Sequence, residues 1–436
     1  MTPATLKQSE AHSRWHAAAR SGMTLIEMLI ATTITLIIMG IVAQLFSVLG
    51  RSVSDNRTAT TMSEQLRGVA QMLRKDLAGL TVATLPPVRP ESDSGYLEII
   101  EGVATDASAG VAALTADFDD VIMFTTKSFG QPFVGVFDST SSIESQYAEV
   151  AWFCAPSVDQ PLDGVTLYTL YRRQLLSMAY VGAGQFLSGS NAYPWPGSWA
   201  DFYAKYDLSC RREGLLLYPN SLGDLTKREN RFLHGTSFPF PFLAGGTNGL
   251  LLTGTNRVGN DIVLTNVVGF DVRVFDSSAP IRWNTAVGNV GLVPGDPDYF
   301  NVNATNTGAT GAYVDLGWGE GIPQSIASQF PPTVQTAMQF GGVMTTSNLP
   351  LGRPTYDTWS LHYEFDGIDQ NGNSLVDEGT NGQDDNGDGV ADEAAEAETS
   401  PPYPYPLRGI EVRIRCYEPS SRQVRQITVR NTFVPH

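Results

Sequence analysis

Basic residues are scarce in this chain. It carries 28 Lys and Arg against 45 Asp and Glu, a formal net charge of −17, which argues against nucleic acid as a partner, because phosphate binding needs clustered cations. Cysteine is rarer still. Cys154, Cys210 and Cys416 permit at most one disulfide, and none belongs to a CxxC pair, so a zinc site is not expected. A Cys154–Cys210 or Cys210–Cys416 bridge formed outside the cytoplasm and three buried thiols stay equally open. Past residue 22 the histidines are His234, His362 and His436, and the chain has no HExxH, GxSxG or Walker loop. No catalytic constellation emerges, and an enzyme is not expected. Charged residues make up only 17%, while 42 Gly and 26 Pro favour short strands and many turns.

One long apolar run is present. Residues 1–22 are polar, with Lys7, Arg14 and Arg20 against the single acid Glu10. From Met23 to Gly50 the 28 residues are nearly all apolar, about 42 Å of helix and enough to cross a bilayer. The basic flank places the amino terminus on the cytoplasmic side. The small-residue break Ser21-Gly22 precedes the run, so cleavage there leaves the segment on the mature protein as an anchor. Glu27 interrupts this run. A charged acid in a lone spanning helix costs roughly 2.5–3.5 kcal/mol, which calls for a partner or for snorkelling to water. Cleavage after Gly22 creates an α-ammonium at Met23, one turn from Glu27.

Helical periodicity continues after Gly50. Val53, Ala59, Met62, Leu66, Val69, Leu73, Leu77 and Leu80 recur at three- and four-residue steps, with Arg67, Arg74, Lys75 and Asp76 on the other faces. Pro86-Pro87 stops the pattern. A helix over 23–83 is expected, membrane-spanning over 23–50 and then amphipathic, its stripe packed on the chain's own domain. From residue 84 to 436 the chain reads as a β-rich head with strands "YLEII", "DVIMFTT", "AEVAWFCA", "TLYTLYRRQLL", "LTNVVGFDVRVFD", "SLHYEF", "GIEVRIRCYE" and "RQITVRNTFV". In the penultimate one, Ile410, Val412, Ile414 and Cys416 alternate with Glu411, Arg413 and Arg415, which predicts one buried and one wet face. Long Gly/Pro/Asn-rich loops are expected at 183–200 and 284–312. The arginines of "YRRQLL" and "CRREG" read as surface charges. The aromatic stretch 191–206 reads as a satellite core under a loop, with a partner or glycan surface as the alternative. The fold class is α+β: a long N-terminal helix packed on an antiparallel sheet.

Residues 366–398 carry eleven acids and no base, and they repeat at a fifteen-residue interval. Asp369-x-Asn371-Gly-Asn373-x-x-x-Asp377-Glu378 aligns with Asp384-x-Asn386-Gly-Asp388-x-x-x-Asp392-Glu393. Oxygen donors at positions 1, 3, 5 and 9 around glycines are what a Ca²⁺ loop needs, and Leu375 and Val390 stand at position 7, where a carbonyl serves. Thr380 and Ala395 replace the usual position-12 Glu, so Glu378, Glu393, Glu396 or water supplies the remaining oxygen. Gly389 fills position 6 in the second repeat and Ser374 in the first. A solvated acidic loop is the alternative. The expected cofactor is structural Ca²⁺, pinning the loop between "SLHYEF" and "GIEVRIRCYE".

The order Gly22, Met23, Thr24, Leu25, Ile26, Glu27 ahead of an apolar run resembles the type IV pilin-like signal, with Met23 where that family usually has Phe. "QLRGVAQMLRKDLAGL", the pair "YAEVAWFCA…LYTLYRRQLL" and the closing "LRGIEVRIRCYEPSSRQVRQITVRNTFVP" resemble the J-type minor pseudopilins of type II secretion systems; W-type minor pilins of type IV pili are similar. The calcium pattern is similar to EF-hand, dockerin and thrombospondin type 3 loops. The resemblance implies a cytoplasmic prepilin leader over 1–22, cleavage and N-methylation at Met23 by a prepilin peptidase, and Glu27 used in filament assembly. It also implies other pilin-like subunits as partners and a single-pass inner-membrane location, with the head in the periplasm or, after assembly, on the cell surface. A calcium-dependent adhesin using the pilin export route is the competing expectation.

Overall fold

The computed structural model describes residues 23–434 apart from 85–89, 105–116, 138–139, 159–163, 182–184, 188, 190, 236–239, 241, 243–256, 258, 302–303, 320–353, 360–362, 370–371, 393–395, 397 and 399–406. The chain divides into two compact units, Met1–Arg57 and Thr58–His436. A single helix, α1, runs from Leu25 to Ala78. In the first unit its segment Leu25–Gly50, 26 residues, is long and apolar enough to cross a membrane and is exposed throughout. Val53, expected on the buried stripe, is exposed as well.

In the second unit the stripe is buried as its period predicts. Ala59, Met62, Leu66, Val69, Leu73 and Leu77 are all buried, with Ala70 filling the same face. The helix ends at Ala78 instead of 83 because the chain turns to meet the sheet. The Gly79 N–H donates to Asp76 O at 3.1 Å, Leu80 bridges to Thr126, and the Thr81 N–H donates to Thr125 O. Asp76 is not on an outer face: it is 2% exposed, and its partners lie on the sheet.

In chain order the strands are β1 (Leu97–Ile100), β2 (Val121–Lys127), β3 (Phe133–Val136), β4 (Ser142–Ser145), β5 (Tyr147–Pro156), β6 (Tyr168–Ser177), β7 (Tyr180–Val181), β8 (Gln185–Phe186) and β9 (Tyr193–Pro194). After the short helix α2 (Trp199–Tyr203) come β10 (Cys210–Glu213), β11 (Leu216–Pro219), β12 (Ile262–Asn284), β13 (Val290–Leu292), β14 (Ala304–Val314), β15 (Thr355–Asp357), β16 (Gly409–Glu418) and β17 (Gln423–Thr432). Among the described residues the main sheet runs β15-β1-β2-β5-β6-β12-β16-β17, with β13 and β14 also on β12. Every pairing is antiparallel, so the fold is α+β.

Three expectations change. Residues 284–312 are not one long loop: β13 and β14 extend the sheet along the far half of β12. In "SLHYEF", residues 360–362 lie outside the described residues and Tyr363–Phe365 form no strand; the edge strand is Thr355–Asp357. The second face is less wet than expected: Arg413 and Arg415 of β16 are half-buried, and Glu411 is buried. Phe270, Val272 and Val274 join the core that holds α1, as do Ile410, Val412 and Ile414, while Asp271, Arg273 and Glu411 on the opposite face are buried too. Glu411 is covered because Arg413 and Arg430 both donate to it. The stretch 191–206 packs into the main core: Phe202 and Tyr203 are fully buried, and Trp199 stacks on Tyr203 with centroids 5.4 Å apart. All three cysteines are free, Cys210 and Cys416 buried and Cys154 half-buried.

Candidate functional site

The amino-terminal motif is described from Met23 onward; Gly22 lies outside the described residues. Met23 and Glu27 are both exposed. Glu27 reaches back to its own helix start: Oε2 accepts the Thr24 N–H at 2.9 Å and the Thr24 hydroxyl at 3.0 Å, while the Glu27 N–H donates to Thr24 Oγ1 at 3.3 Å. This is a reciprocal capping box, which satisfies amide donors that a helix start leaves open. The spacing Thr-x-x-Glu ahead of an apolar run is its sequence signature. A carboxylate is thereby held at the first turn, where the helix dipole favours negative charge.

The acidic loop is a structural repeat as well as a sequence repeat. Asp369 accepts the N–H groups of Gly372 (2.6 Å), Asn373 (3.2 Å) and Ser374 (2.8 Å). Fifteen residues on, Asp384 accepts those of Gly387 (2.7 Å), Asp388 (3.0 Å) and Gly389 (2.8 Å). At position 5, Asn373 and Asp388 each accept the N–H two residues ahead. At position 9, Asp377 and Asp392 each accept the N–H of a glycine ten residues back, Gly367 and Gly382. Backbone conformations repeat in step: Ser374 and Gly389 have φ of 78° and 98°, and Asp377 and Asp392 have 51° and 55°. Ser374 therefore takes the left-handed conformation that glycine takes in the second repeat, at a cost of about 1 kcal/mol.

The glutamates described around these loops, Glu378, Glu396 and Glu398, are buried. Glu378 is buried and accepts from the Asn373 side-chain amide; Glu396 is buried and accepts the N–H groups of Asp385 (2.5 Å) and Asn386 (3.2 Å). Asn386 Oδ1 accepts the Asp388 N–H. Asn371 and Glu393 lie outside the described residues. The donor set is oxygen only, which suits a hard cation. Carboxylates of three separate residues converge within 4.8 Å elsewhere, at Glu101, Asp117 and Asp315 and at Asp117, Asp120 and Asp271.

Several charged residues that read as surface in the sequence are internal. Asp76 accepts Arg172 in bidentate fashion, Nε at 2.7 Å and Nη2 at 2.8 Å, and the Trp152 indole N–H at 3.0 Å. Arg173 pairs with Asp207 and Asp261, both at 2.9 Å. The arginines of "CRREG" stay at the surface as expected: Arg212 is exposed and stacks over Trp195 at 4.5 Å, and the half-buried Arg211 pairs with Glu213 and Asp224. A second network, unforeseen in the sequence, gathers Arg228, Arg231 and His234 around Glu98 and Asp357. Burial works to raise the Glu98 carboxyl, but His234, Arg231 and Arg228 outweigh it and hold it well below the usual carboxylate range. Two guanidiniums face two carboxylates with His234 beside Glu98, and the network is a buried cross-link between β1, β15 and the segment 228–234.

No family model matches the chain, and no curated protein or solved structure is significantly similar to it.

Proposed function

We propose that the chain is a pilin-like assembly subunit: a minor pseudopilin of a type II secretion pseudopilus, with a head stabilised by calcium. The observation that carries this reading is the make-up of α1. Its first half is exposed and apolar and opens on Met23, Thr24 and Glu27; its second half is an integral part of the head's core. In this reading a prepilin peptidase cuts the Gly22–Met23 bond at the inner membrane. The new α-ammonium forms beside the carboxylate that the capping box holds at the helix start, and Glu27 can pair with it or with that of a neighbouring subunit. Leu25–Gly50 anchors the subunit, head in the periplasm, until neighbouring helices replace lipid. The role is non-catalytic.

The calcium reading rests on two loops that repeat in sequence, hydrogen bonding and backbone conformation. Asp369, Asn373, Asp377 and Glu378 would hold one ion, and Asp384, Asn386, Asp388, Asp392 and Glu396 another, joined by Asn371 and Glu393.

Mass analysis of the chain from its native membrane tests the first part: the expected mature terminus is N-methylated Met23, and an intact leader overturns it. Deletion is expected to abolish protein secretion while leaving surface pili. Loss of pili with secretion intact moves the subunit to a type IV pilus, and a deletion with neither effect rules out both assemblies. Calorimetry on the full chain in detergent is expected to show calcium binding that Asp369→Asn with Asp384→Asn diminishes; equal binding by both proteins removes the loops from the calcium reading.

A further inference from the structure

Five carboxylates from distant parts of the sequence meet inside the head. Glu101 follows β1, Asp117 and Asp120 precede β2, Asp271 lies in the middle of β12, and Asp315 follows β14. All five are at least 95% buried. They form two overlapping triads that share Asp117, and within each triad one oxygen from every residue lies within 4.8 Å of the others. Among the described residues the cation buried beside them is Arg273, whose Nε is 3.0 Å from both Asp271 Oδ2 and Asp315 Oδ1; Arg413 reaches Asp271 only at 3.8 Å and is engaged by Glu411.

The backbone has been arranged to hold these acids in place. Asp120 accepts the N–H of Gly102 at 2.9 Å and of Val272 at 2.7 Å, stapling β1's exit to β12. Glu101 Oε2 accepts the Leu316 N–H at 2.9 Å. Its other oxygen, Oε1, is buried and accepts no hydrogen bond, although Glu101 belongs to the triad with Asp117 and Asp315. A buried carboxylate oxygen left open beside other carboxylates is costly unless a cation or a proton meets it.

We infer that Glu101, Asp117, Asp120, Asp271 and Asp315 form a buried divalent-cation site that takes calcium, separate from the acidic loop. Within each triad the oxygens are no more than 4.8 Å apart, which fits a coordination shell of roughly 2.3–2.6 Å radius, and an all-carboxylate, irregular shell suits calcium better than magnesium, which keeps several waters. The groups behave accordingly without an ion. Burial and then mutual repulsion push Glu101 and Asp120 well above the usual carboxylate range, and Asp117 up to about 12. Such a cation would bind together β1, β2, β12 and β14, as a permanent clamp of the head.

The test uses the full chain in detergent with the loop silenced by Asp369→Asn and Asp384→Asn. After equilibration with millimolar calcium chloride, native mass spectrometry is expected to count retained calcium, and melting in calcium is expected to lie above melting in EGTA. Adding Glu101→Gln is expected to weaken calcium binding at least tenfold. It should leave the melting temperature in EGTA nearly unchanged, because without an ion the acid it replaces is already neutral, while removing most of the rise that calcium gives; a merely structural acid would not give that pairing. If the loop-silenced protein retains no calcium and melts identically in calcium and EGTA, the acids are held by protons and the site is refuted.

Discussion

Asp76 offers the sharpest test of how the helix is held in the head. It stands in the last turn of α1, where the helix dipole disfavours an acid by about 0.3–1 kcal/mol. Its burial has to be offset by the bidentate Arg172 and the Trp152 indole. Asp76→Ala strands both. An unmatched buried indole N–H costs about 1–3 kcal/mol, and breaking a buried ion pair costs about 3–5 kcal/mol when the remaining charge cannot reach water. Arg172 is 13% exposed and keeps Gln174 at 3.0 Å, so its share falls at the low end. The expected total is about 4 kcal/mol. Asp76→Asn, which retains an acceptor, should cost about half of that. Arg172→Ala alone should be nearly as harmful, and the double variant should recover about 2 kcal/mol relative to additivity. Urea unfolding of the full chain in detergent, followed by tryptophan fluorescence, reads all four proteins. An Asp76→Ala loss below about 1 kcal/mol, or an additive cycle, would refute the latch.

Glu98 makes part of the acid stability. Because its folded pKa is depressed, its contribution is present above the ordinary value of 4.5 and is lost as pH falls below it. Glu98→Gln should be less stable than wild type at pH 7 by about 3 kcal/mol yet lose less stability between pH 4.5 and 2; parallel pH curves would contradict this. At Gly95, φ is +79° and an added Cβ would lie 2.0 Å from Thr125 Oγ1. Gly95→Ala is therefore expected to cost about 3 kcal/mol from strain and overpacking together, readable in the same urea assay. The three thiols should titrate only after denaturation, since burial raises all of them, Cys416 to about 12. A reductant-dependent melting temperature would show a disulfide instead.

What could be read along the chain was whatever depends on neighbours in sequence. The stripe from Ala59 to Leu77 is a 3.6-residue period, the alternation in β16 is a period of two, and both follow from backbone geometry alone. The fifteen-residue acidic repeat and the Thr24–Glu27 cap are equally local. Strand boundaries failed where pairing decided them: Val290–Leu292 and Ala304–Val314 read as loop because β12, far away, supplies their partner. Charged residues misled for the same reason. Asp76 looks like an outer-face acid until Arg172, 96 residues later, closes over it. Glu101, Asp117, Asp120, Asp271 and Asp315 share no motif, and only the antiparallel sheet brings them together. Local chemistry determined the helix, its cap, the strands and the repeated loop. Which charges were buried, and against what, was decided by the tertiary structure, because desolvation and pairing depend on distance in space and not along the chain.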